Sequence, residues 1–151
     1  MELVVSRPCV TRNFASRTVA TVGFAQRLAA VDGLAGGDFL LVEWIAEVGT
    51  HWIAPLHVHH GDDEGWYVLE GELGFRLGDE EVIATAGSAV VARRGTPHTY
   101  WNAGDTEARY LLIMTPRIAS LIGAIHAPGA DIPAVFAAHD SELIPTDGAS
   151  L

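Results

Sequence analysis

Three histidines and four acidic residues crowd into the seventeen-residue stretch "PLHVHHGDDEGWYVLEG", Pro55–Gly71. In an extended chain, residues i and i+2 point to the same face. His57 and His59 therefore share one side of a strand running through "LHVHH", while Val58 and His60 share the other. Glu64 follows the polar turn "HGDD" at the start of an apparent strand "EGWYVL", and a hairpin there would return its carboxylate to the histidine pair. Much later, "GTPHTYWN" places His98 on another extended segment. These four side chains meet only if the sheet closes on itself, as the inward-facing residues of a barrel do.

The chemistry of such a set is coherent. Imidazole nitrogens with one carboxylate oxygen suit a divalent transition metal (Fe, Mn, Ni, Cu or Zn), whereas Ca(II) and Mg(II) take oxygen shells. Four protein ligands leave a position open on a five- or six-coordinate ion, where water, O₂ or a chelating substrate binds directly. Taken alone, the same residues also fit a solvated turn that happens to carry imidazoles, and both readings stand at this point.

Parity extends the candidate site. Counting by twos, Trp66 and Val68 follow Glu64 on its face, and Thr96, Tyr100 and Asn102 share the face of His98. Phe75 and Leu77 alternate on the next strand, and Ile53 precedes the histidines. A pocket of Ile53, Trp66, Phe75 and Tyr100 would be apolar with a polar floor, as small-molecule sites are; the aromatics equally suit the filling of a small barrel. His60 is expected to face outward, His51 to lie near the barrel mouth, and His126 and His139 to be solvated. Asp62 and Asp63 read as turn residues making local backbone hydrogen bonds.

The elements that must position these groups are short. Sixteen glycines and seven prolines divide segments rich in β-branched and aromatic residues: Asp38–Val48, Gly65–Gly71, Glu72–Gly78, Glu80–Gly87, Ser88–Arg94, Pro97–Asn102 and Ala108–Thr115. Their length and spacing predict an all-β sandwich or barrel. No amphipathic helix of credible length lies between them, which argues against a βαβ fold. The tail differs: "PRIASLIGAIHA" and "DIPAVFAAH" predict two short helices, the second capped by Asp131. At the other end, "RTVATVGFAQRLA" is expected to supply one or two edge strands and "VDGLAGGD" a flexible loop. The chain is expected to form one domain over 1–151, with N-terminal strands in 1–37, a barrel core over about 38–115 and a helical tail in 116–151.

Composition bounds the partners. The 151 residues carry nine Lys and Arg against nineteen Asp and Glu, a net charge of −10. That balance disfavours nucleic acid and anionic membrane surfaces. A single cysteine, Cys9, forms no internal disulfide. No basic segment followed by an apolar core opens the chain, and its longest apolar run, "YLLIM", is far too short to span a bilayer. A cytoplasmic protein is the expectation.

Two stretches carry a family resemblance. "HVHHGDDEGWYVLEG" resembles the first signature of the cupin family, with His57, His59, Glu64 and Gly71 at its spacing. "GSAVVARRGTPHTYWN" resembles the second, with Gly87, Gly95, His98 and Asn102 in place. Two turn positions depart: Arg93 stands where the second signature has proline, and Gly49 lies eight rather than six positions ahead of His57. The resemblance implies a double-stranded β-helix (jelly-roll barrel) with His57, His59, Glu64 and His98 as metal ligands. It is similar in particular to single-domain members of the quercetin dioxygenase-like group. That implies a metal-dependent oxygenase acting on an aromatic or enol-type small molecule, with Glu64 as ligand and proton acceptor, in a homodimer. A metal-dependent isomerase or cyclase, and a non-catalytic module holding a small ligand or metal, are the alternatives within the same fold.

Overall fold

The computed structural model describes residues 39–49 and 51–146, together with the strand paths of 16–21 and 24–29. Cys9 and the "VDGLAGGD" segment lie outside the described residues. Two antiparallel sheets face each other. The first runs in the order β1 (Ser16–Thr21), β2 (Phe24–Ala29), β3 (Leu40–Ala46), β10 (Ala108–Met114), β5 (Glu64–Glu70), β8 (Ala89–Ala92). The second runs β11 (Ser141–Leu143), β4 (His57–His59), β9 (His98–Asn102), β6 (Glu72–Leu77), β7 (Glu80–Thr85). Helices α1 (Pro116–Ile125) and α2 (Ile132–Ala138) lie between β10 and β11 in the chain.

Each strand anticipated from composition forms, with its ends within two residues of those expected. Alternation does what period-two patterning requires: Ala108, Tyr110, Leu112 and Met114 of β10 are buried while the residues between them are not. Val42, Trp44 and Ala46 repeat this on the neighbouring β3. Leu73, Phe75 and Tyr100 answer from the opposite sheet, and together these side chains form the core. Burial of each large apolar side chain contributes about 1.5–3 kcal/mol. The N-terminal segment provides one edge strand, β1, and one inner strand, β2, which also pairs with β3.

Two features depart from the expected pattern. The polar stretch after His59 is not a hairpin. β4 and β5 belong to different sheets, so residues 60–63 form a corner that carries the chain from one sheet to the other. The second is β11, whose three residues show too little alternation to be read as a strand from sequence.

The tail helices follow their capping signals. Thr115 Oγ1 accepts a hydrogen bond from the Ile118 N–H at 3.3 Å, and Asp131 Oδ1 accepts from Ala134 at 3.2 Å. Both helices carry proline in their first turn. Helix α1 buries Ile118 and Leu121, and α2 buries Phe136. Among the described residues, no helix is long and apolar enough to cross a membrane.

Gly71 alone connects β5 to β6 and so carries the chain between sheets. Its φ is 75°, in the left-handed region that disfavours a side chain. A Cβ there would lie 2.8 Å from both Ala108 Cα and the Glu107 carbonyl oxygen. Gly71→Ala combines both penalties, and a loss of about 2–4 kcal/mol is expected, read as a lower urea midpoint at unchanged slope.

Candidate metal centre

The second sheet supplies three imidazoles. β4 presents His57 and His59, and β9 presents His98, whose backbone pairs directly with His57. Glu64 is the first residue of β5 and comes from the opposite sheet. All four side chains are buried, and their ligand atoms lie within 4.8 Å of one another. His57 Nε2 lies 3.2 Å from His59 Nε2, and Glu64 Oε2 lies 3.0 Å from His98 Nε2 and 3.6 Å from His59 Nε2.

The other nitrogen of each ring is engaged. His57 Nδ1–H donates to the Pro55 carbonyl at 2.7 Å, and His98 Nδ1–H donates to the Thr96 carbonyl at 2.8 Å. His59 Nδ1 is 2.7 Å from Ser141 Oγ. Since carbonyls only accept, the first two contacts fix the ring tautomer and aim an Nε2 lone pair at the centre. The Nε2 atoms of three imidazoles and a carboxylate converge there on one buried point. Such an arrangement needs a shared cation, or protons in its place. The donor set therefore fits a divalent transition metal.

Electrostatics favour the ligand protonation states. Burial foremost, and the nearby His98 with it, lower the His57 pKa from 6.5 to about 4 against the opposing pull of Glu64. Burial would raise the Glu64 carboxyl, but the adjoining His59 and His98 outweigh it and hold the group at about 2. A neutral imidazole and an ionised carboxylate are the forms that bind metal. Burial also raises the hydroxyls of Tyr100 and Tyr110, which are 3.0 Å apart and stay protonated.

The centre opens on a cavity of about 90 Å³. Ile53 and Tyr100 line it. Trp66 and Phe75 do not: they are buried one layer behind and pack against each other, Trp66 also edge-on to His98. Their places in the wall are taken by Trp44 and Leu112 of the first sheet and by Ile118, Ile122, Ile125 and Phe136 of the tail helices. The sequence predicted two short helices in the tail, and the structure sets these residues of both over the cavity. His126 lies exposed at the end of α1 and lines the cavity, whereas His51 is exposed and outside it. His139, expected in solvent, is half-buried, with Nδ1 against the Val135 carbonyl and Nε2 against Ser120 Oγ. His60 faces outward beside Glu142.

The corner acids reach other elements instead of their own backbone. Asp63 accepts from both the backbone and the guanidinium of Arg94, which hold its carboxyl down at about 2. Asp62 forms an ion pair with Arg117 at 2.7 Å. Arg93, in place of a proline, still closes its turn: its carbonyl accepts from Thr96 N–H at 2.9 Å, and Gly95 at φ 79° supplies the bend. Gly95 N–H in turn donates to the His59 carbonyl at 2.7 Å. Asn102 is structural: its amide donates to the carbonyls of Ala46, Glu47 and Thr106.

Known proteins resemble this chain in sequence and fold. The family model described as the cupin domain matches residues 44–114. Quercetin 2,3-dioxygenase from Bacillus subtilis is 29% identical over 107 residues, which are 70% of this chain and 32% of that protein. The chain thus spans about a third of the length of that relative. A crystal structure of a protein from Thermus thermophilus superposes with a TM-score of 0.52 at 29% identity, over 62% of this chain and 83% of the other. A predicted oxalate decarboxylase from Thermotoga maritima gives 0.52 at 25% identity, covering 61% and 77%. A sugar phosphate isomerase from Silicibacter pomeroyi gives 0.51 at 26%, covering 62% and 59%.

Two outcomes follow from the site. His57→Ala is expected to abolish metal retention in purified protein, measured by elemental analysis, whereas His60→Ala, on the outward face, retains it. In the metal-free protein, His57 has a folded pKa of about 4 against 6.5 for the free side chain. Between those values the unfolded chain takes up a proton that the folded state refuses, so stability falls as pH is lowered across that window. Each pKa unit is worth about 1.4 kcal/mol. Thermal melts of the metal-free protein are expected to show this fall, and His57→Gln to remove most of it.

Proposed function

Since residues 44–114 match the cupin domain, we propose that the protein is a metal-dependent enzyme of oxygenase type acting on a compact aromatic or enol-type molecule. The observation that carries this reading is the buried three-histidine, one-carboxylate set facing an apolar cavity. His57, His59, His98 and Glu64 would hold an Fe, Mn, Ni, Cu or Zn ion. A metal bound there supplies an acidic, coordinatively open centre that favours ionisation of a chelating hydroxyl.

The protein's own groups do the rest. The Glu64 carboxylate is ionised and accepts the proton of a substrate hydroxyl brought beside it. Tyr100, kept protonated by burial, donates a hydrogen bond to the resulting oxyanion. Ile53, Ile118, Ile122 and Phe136 take the apolar part of the substrate and keep water out.

Size and charge narrow the substrate. A cavity of about 90 Å³ is smaller than the ~150 Å³ space that accommodates benzene, which favours the smallest molecules of the class, such as a short diketone, and weighs most against a multi-ring flavonol. Among the described residues no Lys or Arg lines the cavity, so a phosphate group would find no cationic side chain. That weighs against a sugar-phosphate isomerase.

Oxygen uptake tests the proposal. Protein loaded with Fe(II), Mn(II) or Ni(II) is expected to consume O₂ with diketones or catechols and more slowly with flavonols. Glu64→Gln is expected to lower turnover by about 10²–10⁴-fold, the usual worth of a positioned base. No uptake with any member of the panel would remove the oxygenase reading and leave a metal-binding module or a non-redox enzyme.

A further inference from the structure

We infer that Ser141 is a positioning residue for the metal ligand His59, and that through it the C-terminal strand completes the metal centre. The inference rests on the metal reading above.

The ligand strand is held largely from the tail. β4 has three residues and pairs with β9 only at His57. β11 pairs along its full length, setting Ser141 opposite His59, Glu142 opposite Val58 and Leu143 opposite His57. Two more backbone bonds extend this ladder: His60 N–H to the Asp140 carbonyl and Ile144 N–H to the Leu56 carbonyl, both 2.9 Å.

The three imidazoles differ in what sets their tautomer. His57 and His98 each donate from Nδ1 to a carbonyl two residues earlier in the same segment. His59 instead meets Ser141 Oγ, 82 positions away in the chain. Ser141 is buried and donates its hydroxyl hydrogen to the His139 carbonyl at 3.0 Å. With that hydrogen committed, Oγ is an acceptor, and His59 carries its proton on Nδ1. The Nε2 lone pair is then directed at the centre.

A clamp holds the two segments in register. Arg117 of α1 pairs with Asp62, just past His59, and with Asp140, next to Ser141, at 2.7 and 3.3 Å. Gly61 permits this closeness, because a Cβ there would lie 2.6 Å from Asp140 Oδ2 and 2.9 Å from Arg117 Nη2.

Two measurements on the full chain test the inference. In the Zn(II)-loaded protein, ¹⁵N-resolved NMR of the histidine rings is expected to place the His59 proton on Nδ1, in a hydrogen-bonded resonance that Ser141→Ala removes. In chelator competition with Zn(II), Ser141→Ala is expected to bind about 10–100-fold more weakly. Ser141→Thr restores the hydroxyl and is expected within about threefold of the parent, on the scale of that loss. Ser141→Val has the shape of the threonine variant without the hydroxyl and is expected to follow alanine, so the comparison survives if alanine folds poorly. A Zn(II)-loaded parent with His59 protonated on Nε2 overturns the inference, as do valine and threonine variants of equal affinity. If the parent binds no Zn(II), Mn(II) or Fe(II), the metal reading falls and this role with it; if the parent binds and the variants match it, only the role of Ser141 falls.

Discussion

Four ligand atoms gathered within 4.8 Å of one another in a buried space is the constraint around which the rest of this protein is arranged. Removing a carboxylate from water costs several kcal/mol, and imidazole lone pairs brought together repel unless something positive lies between them. The fold must hold this arrangement against its tendency to relax. It does so by drawing the donors from both sheets. Glu64 stands on one sheet and the three histidines on the other, so the distance between the sheets sets the size of the centre. The aromatic layer behind it, Trp66 and Phe75 packed edge to face at 5.2 Å, keeps that distance from collapsing.

The burial that makes the centre costly also prepares it. Desolvation keeps His57 neutral, and the surrounding imidazoles keep Glu64 ionised. Beside His57, His59 and Glu64, the cavity lining is aliphatic and aromatic except for His126. Interactions with a charged or chelating group are stronger at low dielectric than in water. The tail helices help create that condition, since Ile118, Ile122, Ile125 and Phe136 complete the wall.

Labour is divided between the middle of the chain and its end. The paired signatures contribute every metal-type donor, and their glycines shape the passages between strands: Gly71 crosses from sheet to sheet and Gly95 ties the turn before His98 to the His59 carbonyl. The tail contributes no donor atom to the set, yet it covers the cavity, doubles the ladder along β4 and anchors the corner after His59 through Arg117.

Parity and spacing along the chain determined the β character of the barrel strands, the shared face of His57 and His59, the outward face of His60 and the two capped helices. These are local properties: side-chain alternation and helix capping depend on neighbours a few residues away. Only the tertiary structure decided that residues 60–63 turn a corner between sheets, that Trp66 and Phe75 lie behind the wall while Ile118 and Phe136 form it, and that Asp62 and Asp63 meet distant arginines. It alone brought Ser141 to His59. Each of those outcomes depends on which strands become neighbours and how two sheets are offset, and contacts between residues as far apart as 59 and 141 leave no periodic trace in either segment.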